Sequence, residues 1–371
     1  MTRTPFLISS IALALAIVSG PVAQGQIQTP VDLTIAFIGD QGLGIDAEAV
    51  LHLIKAEGAH AVLHSGDFDY ADDPAAWEAQ IDAVLGSDFP YFAAIGNHDV
   101  GQFFTPGGYQ DRLEARMTRL GIPWKGELGY RSSFYYHGIF ILLTAPGVLL
   151  PMDPVGAHWT FIRRELAVDN STWRIASWHK NMRRMQVGGK FDETGWGVYE
   201  AARRGGAIIA TAHEHSYSRT HLLASVFRQI VASTDNTLVL SRDNPATLRD
   251  EGRSFVFVSG LGGRSIRDQQ RCLPTTPPYG CKGEWASIYT SNQGANFGAL
   301  FGRFNYGGDP SLAYFYFKDI TGNVADEFFV RSAAEPVAAS TDSAGRQFIP
   351  PAESPLDRWR WPAPRWQLAR E

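Results

Sequence analysis

The sequence predicts an α/β fold, because short apolar runs typical of buried parallel strands alternate with segments of helical periodicity. The runs at residues 35–38, 61–63, 91–95 and 174–176 each lead into a polar loop. Loops at the carboxyl ends of parallel strands converge on one crevice, so side chains far apart in the sequence can meet there. We therefore expect one polar site at that edge of the sheet.

The first part of the chain predicts a βαβαβ unit. The predicted elements are a strand at 33–38, a helix at 46–57, a strand at 61–64, a helix at 74–85 and a strand at 91–95. Asp46 is a typical first-turn cap, and Gly58 is a typical helix stop. Both predicted helices carry an apolar stripe on one face, as expected of helices that pack against a core.

The later elements are less regular. Residues 133–137 and 139–144 predict a hairpin that turns at Gly138, and the apolar spacing around Ile162 predicts a short helix. Further strands are predicted at 173–177, 207–210, 255–259 and 313–318. Because no linker interrupts this pattern, the simplest organisation is one domain over residues 26–331.

The composition is that of an ordinary soluble globular protein. Of the 371 residues, 44% are apolar and 19% are charged. With 33 Lys plus Arg against 38 Asp plus Glu, the formal net charge is −5. This balance excludes a globally basic surface that would attract nucleic acid. A phosphate ligand would have to be bound by metal ions or by a local basic patch.

The first 25 residues predict a secretory signal peptide. Arg3 precedes an uncharged apolar run at 6–18, a Gly-Pro pair follows, and residues 23–25 offer the small side chains that signal peptidase prefers. The alternative is an uncleaved membrane anchor, but the apolar run is short for a spanning helix. We expect a secreted or periplasmic protein with no stable membrane span after cleavage.

Export bears on the two cysteines of the chain. Cys272 and Cys281 flank a proline-rich turn, and neither stands beside a histidine. Their spacing is a poor match for zinc ligation, so a disulfide that closes a small loop is the preferred interpretation.

Residues 332–371, after the predicted domain, are rich in Pro, Ala and Trp. We interpret them as a tail that packs on the domain, binds a partner or extends loosely.

Three motifs place oxygen ligands after predicted strands. Asp40 and Asp67 supply carboxylates, Asn97 supplies an amide oxygen, and Tyr70, three residues after Asp67, supplies a phenol. One carboxylate can bridge two ions about 3.5 to 4 Å apart, so we assign Asp67 to both ions and Asp40 to the first. A phenolate is a hard anionic ligand that favours a trivalent ion such as Fe(III), so Tyr70 joins the first site.

Histidines complete this set of ligands. His179 follows a predicted strand, and His213 lies two residues before His215 in an extended segment. Alternate residues of an extended chain share a face, so His213 can bind the second ion with His179 and Asn97 while His215 reaches the first. Each of these residues alone is more often structural. The joint pattern predicts a pair of metal ions.

His98 directly follows a predicted ligand and should lie at the rim of the metal crevice. There it could donate a hydrogen bond to a phosphoryl oxygen or protonate a leaving alkoxide, with Asp99 orienting the imidazole and raising its basicity. The alternative is a strut that supports a ligand without touching the substrate. Tyr217 and Arg219 are expected to fix the His213 loop.

These motifs, in this order, resemble the purple acid phosphatase branch of the calcineurin-like metallophosphoesterases. They are Gly39-Asp40-x-Gly42, Gly66-Asp67-x-x-Tyr70, Gly96-Asn97-His98-Asp99, a strand followed by His179, and His213-x-His215-x-Tyr217-x-Arg219. Most of the superfamily has Asp-x-His as the first motif, whereas Gly42 replaces that histidine here and Tyr70 is present, as in the purple branch. The resemblance implies a four-layer αββα sandwich with a metal centre at the strand ends.

Carried onto this sequence, the resemblance implies an Fe(III) site and a divalent site that holds Fe, Zn or Mn. The implied ligands are Asp40, Asp67, Tyr70 and His215 for the first ion, and Asp67, Asn97, His179 and His213 for the second. His98 matches the phosphate-contacting histidine of the family. Two departures are Ala212, where the family usually has glycine, and the segment 180–184, which leaves the pocket shape and the substrate open.

The predicted function is hydrolysis of a small phosphate ester, most simply a monoester, by a metal-activated hydroxide. Two alternatives stay open: a phosphodiesterase or nucleotidase on the same centre, and a secreted binding protein without turnover. In the last case the tail, or an anion pocket of Lys180, Arg183 and Arg184, would be the functional part. The sequence does not indicate an oligomeric state.

Overall fold

The computed structural model describes residues 29–244, 246–247 and 249–333. The predicted signal peptide, and all but the first two residues of the predicted tail, lie outside the described residues. Both therefore stay predictions. Within the described ranges, no helix is long and apolar enough to cross a membrane.

The described ranges contain six α-helices. They are α1 (Ile45–Ala56), α2 (Pro74–Val84), α3 (Val100–Phe103), α4 (Tyr109–Arg119), α5 (Ala157–Val168) and α6 (Trp196–Arg204). The helices α1 and α2 confirm the two predicted in the βαβαβ unit, and α5 confirms the helix around Ile162. The Asp73 side chain accepts from the Ala76 amide and Pro74 opens the first turn, so α2 begins where these two residues place it.

The same ranges contain seventeen strands. The first nine are β1 (Leu33–Ile38), β2 (Ala61–His64), β3 (Tyr91–Ala93), β4 (Trp124–Glu127), β5 (Arg131–Tyr136), β6 (Ile139–Thr144), β7 (Trp173–Ser177), β8 (Ile208–Thr211) and β9 (Tyr217–Thr220). The other eight are β10 (Leu222–Ser225), β11 (Ile230–Ser233), β12 (Thr237–Leu240), β13 (Val256–Ser259), β14 (Trp285–Tyr289), β15 (Gly298–Phe304), β16 (Leu312–Asp319) and β17 (Val324–Ser332).

Most of the strands belong to two large sheets. The first has the order β12-β17-β16-β15-β1-β2-β3, in which β1, β2 and β3 are parallel. The second has the order β14-β9-β13-β8-β7-β6-β5-β4, in which β13, β8, β7 and β6 are successive parallel neighbours. The predicted parallel βαβαβ unit and the hairpin of β5 and β6 are confirmed.

The two sheets pack face to face, and helices cover their outer faces. Phe37 of β1 contacts Phe257 of β13 across the interface, with ring centroids 5.3 Å apart. Phe255 and Phe315 form a second such pair at 6.3 Å. The helices α1 and α2 extend this core on the outer side of the first sheet, while α5 and α6 build a second core on the outer side of the other. The four-layer αββα sandwich is confirmed.

The strand β3 is shorter than predicted. It ends at Ala93 rather than at residue 95, although Ala94 and Ile95 are also buried. The Ile95 amide donates to the carbonyl oxygen of Gly129, so the chain leaves the ladder of β2 before its apolar run ends. An apolar pattern indicates burial, but it does not indicate which backbone groups pair.

The predicted disulfide between Cys272 and Cys281 is present. Cys272 is buried in a small apolar cluster with Val187, Trp285 and Ile288, so the closed loop packs against the body of the protein. Because Val187 lies in the connection between β7 and α6, the disulfide loop helps to fix a segment that follows a predicted metal ligand.

Tyr217 and Arg219 tie the two sheets together. Arg219 on β9 donates from Nε and Nη2 to the two carboxylate oxygens of Asp326 on β17, at 2.7 and 3.0 Å. The Tyr217 hydroxyl donates to Asp326 Oδ2 at 2.7 Å, and the guanidinium lies 4.0 Å from the centroid of the Phe328 ring. Since β9 follows His215 closely, both residues hold the chain directly after the histidine loop, as predicted.

Replacing Asp326 with Ala should lower the free energy of unfolding by about 3 to 5 kcal/mol, because the partner cation is then left buried and uncompensated. The Arg219 and Asp326 side chains are only 3% and 8% exposed. A matched control is Asp309→Ala, since Asp309 pairs with Arg331 where both side chains are at least 40% exposed. Urea denaturation of both variants measures the difference, and equal losses of stability would contradict this account.

Candidate metal centre

Each predicted ligand lies shortly after the carboxyl end of a strand. Asp40 follows β1, Asp67 follows β2 and Asn97 follows β3, all in the first sheet. His179 follows β7 and His213 follows β8 in the second sheet. Because the two sheets are packed face to face, the loops at these strand ends meet, and ligands from both sheets come together.

Asp40, Tyr70 and His215 form the first group of donors. The Tyr70 hydroxyl donates to Asp40 Oδ1 at 2.8 Å. His215 Nε2 lies 3.3 Å from the same carboxylate oxygen and 3.2 Å from the Tyr70 hydroxyl. These three residues were predicted to bind the first ion and not the second, and the structure brings them together.

Asp67, His179 and His213 form the second group. His179 Nε2 lies 3.1 Å from Asp67 Oδ2 and 3.0 Å from His213 Nδ1. The ligand atoms of the three buried side chains all lie within 4.8 Å of one another. The backbone amide of His213 donates to Asp40 Oδ2 at 2.8 Å, so the second group lies directly beside the first.

Asn97 adds an oxygen atom that is buried and accepts no hydrogen bond within the described part of the chain. The amide of the next residue, His98, donates to Asp67 Oδ1 at 2.9 Å, which places Asn97 beside the second group. Buried side-chain oxygens are rarely left without a partner. An orphaned acceptor next to carboxylates and imidazoles is what a cation requires, so these residues fit a pair of metal ions.

The outer nitrogen of each histidine ring is also engaged. His179 Nδ1 lies 2.8 Å from a backbone carbonyl oxygen at the end of β2. His213 Nε2 lies 2.8 Å from Glu193 Oε2, and His215 Nδ1 contacts the Ser265 hydroxyl. Such contacts fix the tautomer and turn the opposite nitrogen towards an ion. The three imidazoles are therefore oriented as ligands by the protein itself.

Glu193, which contacts the predicted ligand His213, was not predicted, because no motif in the sequence marks it. It lies in the connection between β7 and α6, after the segment 180–184 that departs from the family pattern. Its Oε1 also lies 2.8 Å from the Lys180 ammonium. Lys180 is thereby engaged, so the anion pocket considered for Lys180, Arg183 and Arg184 loses one of its three cations.

The charges of the centre shift the pKa values of its members in opposite directions. Burial would raise the pKa of Asp40, but the His215 imidazole and its hydrogen bond lower it well below the usual range. Burial would likewise raise the pKa of Asp67, and His179 lowers it to about 2. Burial and the two carboxylates raise the pKa of Tyr70 far above its usual value. The carboxylates therefore favour the anionic form, and Tyr70 would release its proton to solvent only if a strongly charged cation bound the phenolate oxygen.

Four predicted ligands have a left-handed backbone, which is unfavourable for residues other than glycine. The φ angles are 57° for Asp40, 60° for Asp67, 58° for Tyr70 and 70° for His213. Each such residue costs on the order of 1 to 3 kcal/mol and persists only where the surrounding structure fixes it. Here the amides of residues 40–42 donate in succession to the carbonyls of residues 66–68, which joins the first two ligand loops.

Asp99 fixes the Asp67 loop rather than the imidazole of His98. Its Oδ2 accepts from the amides of Gly96 and Asp67 at 2.6 and 2.9 Å, and its Oδ1 accepts from the amide of Phe68 at 2.8 Å. Because both oxygens bind backbone amides, the prediction that Asp99 orients His98 is wrong. Aspartate in a loop commonly satisfies nearby amides, and this local preference decides its role here.

His98 lies at the rim of the centre, with an exposed side chain. Its ring centroid is 4.6 Å from that of Tyr70, and its own amide is held by Asp67. The imidazole is therefore positioned by its backbone and by the neighbouring ring.

Close packing explains how one departure from the family pattern is accommodated. A Cβ atom on Gly39 would lie 2.3 Å from the Cβ of Ala212. Ala212 fits because Gly39, in the facing loop, has no side chain. In the same way, a Cβ on Gly96 would lie 2.1 Å from Asp67 Oδ1, so the position of this carboxylate requires glycine there.

A cleft of about 610 Å³ adjoins the centre on the side of His213. One wall is formed by the loop that carries Lys190, Phe191 and Glu193, and another by the segment of Arg267. A cleft of this size holds a small organic ligand. Among the predicted ligands, His213 lines this cleft, so the cleft lies beside the second donor group.

Replacing Asp99 with Asn should weaken metal binding about 10- to 100-fold, because the side-chain amide has a single acceptor oxygen for three backbone donors. His98→Ala should leave metal binding unchanged, since the imidazole is not among the converging donors. Metal content after dialysis at a series of free-ion concentrations measures both variants. If Asp99 acted only through His98, D99N would keep its ions as H98A does, and the anchoring role would be refuted.

Comparison with known proteins agrees with this geometry. The model of the calcineurin-like phosphoesterase family matches residues 33–217. This range contains every residue predicted for the site, from Asp40 to His215. No curated protein sequence matches the chain significantly.

Among solved structures, the chain is similar to a purple acid phosphatase from yellow lupin seeds, with a TM-score of 0.61 and 17% identity over 88% of this chain and 58% of that one. It is also similar to GAP50 of Plasmodium, with a TM-score of 0.49 and 11% identity over 86% of this chain and 100% of that one. For a dimetal phosphatase from Danio rerio the values are 0.43 and 10%, over 82% and 100%.

The chain spans 58% of the length of the lupin protein, and at 17% identity this likeness shows a shared fold. The residues that match the family model include the strand ends and loops on which the two donor groups lie. From this match and the four-layer fold, we conclude that the chain belongs to the calcineurin-like phosphoesterase family.

Proposed function

We propose that the chain is a dinuclear-metal phosphomonoesterase of the purple acid phosphatase type. The observation that carries this proposal is the junction of the two donor groups, where the His213 amide donates to the Asp40 carboxylate at 2.8 Å. Adjacent metal sites are the arrangement that enzymes use for in-line displacement at phosphorus. Membership of a phosphoesterase family supports the same reaction class.

The donors suit two different ions. Asp40, Tyr70 and His215 would hold the first ion, Asn97, His179 and His213 the second, and Asp67 both. A phenolate with carboxylates favours Fe(III), whereas an amide with imidazoles suits Fe, Zn or Mn as the divalent ion. When bound, such a pair of ions supplies a hydroxide nucleophile near neutral pH and offsets charge on the phosphoryl oxygens.

His98 is the residue that would act on the substrate directly. Its exposed imidazole at the rim can donate a hydrogen bond to a phosphoryl oxygen or protonate the departing alkoxide. Its amide donates to Asp67 Oδ1, so the position of the imidazole follows that of the carboxylate assigned to both ions. Asp99 supports the same carboxylate by accepting a hydrogen bond from the backbone amide of Asp67, and it does not contact the substrate in this scheme.

We also propose that the protein is secreted or periplasmic. The disulfide between Cys272 and Cys281 supports this location, because such bonds persist in oxidising compartments. The predicted signal peptide over residues 1–25 supports it independently.

Paired assays with 4-nitrophenyl phosphate and bis(4-nitrophenyl) phosphate test the proposed reaction. We expect a higher kcat/KM for the monoester, and we expect Asp67→Ala to reduce turnover of both to background, because both ions lose a ligand. Metal analysis of the same preparation provides the control for loading. Faster turnover of the diester would favour a phosphodiesterase, and full turnover by D67A would refute the role of the centre.

The visible spectrum of the iron-loaded protein tests the role of Tyr70. We expect a phenolate-to-iron absorption band that is lost in Tyr70→Phe, because the phenol oxygen is then absent. Tyr109→Phe is a matched control, since the Tyr109 hydroxyl donates to Asp69 Oδ2 at 2.7 Å and lies outside both donor groups. A band that survives in Y70F, or an iron-loaded wild type without one, would contradict the assignment.

A further inference from the structure

Phe191 is a large apolar side chain that stays exposed beside the metal centre. It is 78% exposed. It lines the same cleft as His213, a ligand assigned to the second ion. Single exposed apolar residues are common on proteins, so exposure alone assigns no role. What distinguishes Phe191 is its place in this cleft and the way in which its loop is held.

The loop that carries Phe191 is fixed on both sides of the ring. Lys190 donates from Nζ to the carbonyl oxygen of His213. Glu193 Oε2 lies 2.8 Å from His213 Nε2, and Asp192 Oδ1 accepts from a backbone amide of the same connection at 2.7 Å. The residues on both sides of Phe191 are therefore engaged, so the backbone that carries this ring is held beside His213.

The facing wall is polar and also well fixed. Gln270 Nε2 donates to Asp268 Oδ1, and the Gln270 amide donates to the carbonyl oxygen of Val187, each at 3.0 Å. A Cβ on Gly189 would lie 2.2 Å from Gln270 Oε1, so the two walls touch at this point. The space of about 610 Å³ between them has room for an aromatic ring.

The charges of the cleft disfavour a leaving group that carries its own negative charge. The charged lining residues are the cations Lys190 and Arg267 and the acids Glu193, Glu214 and Asp268. Arg267 lies 3.7 Å from the Glu214 carboxylate, and Lys190 donates to a backbone carbonyl. A second phosphate group would meet more carboxylates than cations here, whereas an uncharged ring would meet Phe191.

We propose that Phe191 determines specificity by packing against the flat, uncharged leaving group of an aryl phosphate monoester. This inference rests on the proposed phosphomonoesterase function and adds the substrate class. In the reaction, water attacks phosphorus and the bond between phosphorus and the aryl oxygen breaks. The products are inorganic phosphate and a phenol. The phenol oxygen takes up the proton that the attacking water loses.

Binding of phenylphosphonate and methylphosphonate to the metal-loaded full chain tests this without turnover, since neither compound has a P–O–C bond. The wild type should bind phenylphosphonate more tightly. Phe191→Ala should weaken phenylphosphonate binding about 2- to 12-fold, the range expected for one aromatic pair, and leave methylphosphonate binding unchanged. Phe191→Tyr keeps the ring and should bind both like the wild type. Isothermal titration calorimetry measures all six affinities.

Phe104→Ala is a matched control, because Phe104 is 46% exposed but does not line this cleft. It should bind both phosphonates like the wild type. The proposal is overturned if the wild type binds the two compounds equally, if F191A loses affinity for both alike, or if F191A binds phenylphosphonate normally.

Failure of the proposed function is distinguishable from failure of this inference. Absence of 4-nitrophenyl phosphate hydrolysis, with the phosphonate pattern intact, would remove the enzymatic function and leave Phe191 as a determinant of ligand binding. Hydrolysis that proceeds while F191A binds phenylphosphonate normally would remove only the role of Phe191.

Discussion

The candidate metal centre depends on the buried carboxylate of Asp99, which is not one of the predicted ligands. Asp99 accepts from three backbone amides and thereby holds Asp67 in a left-handed conformation. The amides of residues 40–42 pair with the carbonyls of residues 66–68, so the position of Asp40 follows from that of Asp67. These hydrogen bonds to amides thus offset local strain and place the predicted ligands before an ion binds.

The same arrangement gathers negative charge away from water. Asp40, Asp67 and Asp99 are all buried. Burial and the Asp67 charge raise the pKa of Asp99 well above its usual range, and the amides of Phe68 and Gly96 oppose this shift because they favour the carboxylate. Buried charges are tolerated only when they are paired or coordinate metals. The imidazoles of His179 and His215 contribute part of this compensation, and a pair of cations would supply the rest.

Much of this organisation could be predicted from the sequence, since strand-end loops converge whatever their distance along the chain. The strands β1, β2 and β7 and the residues that follow them are examples. The roles of Asp99 and Glu193 could not be predicted, because they depend on which amide or imidazole lies within hydrogen-bonding distance after folding. Short strands such as β9 and β14 were not predicted for a related reason. They pair with each other in the second sheet, and neither contains the long apolar run that indicates a buried strand in a sequence.

Locating the bound metals in an experimental structure by anomalous scattering tests the central claim most directly. The account predicts two peaks about 3.5 to 4 Å apart. One should be bounded by Asp40, Tyr70 and His215, the other by Asn97, His179 and His213, with the Asp67 carboxylate reaching both. A single peak, or two peaks that do not share Asp67, would contradict it.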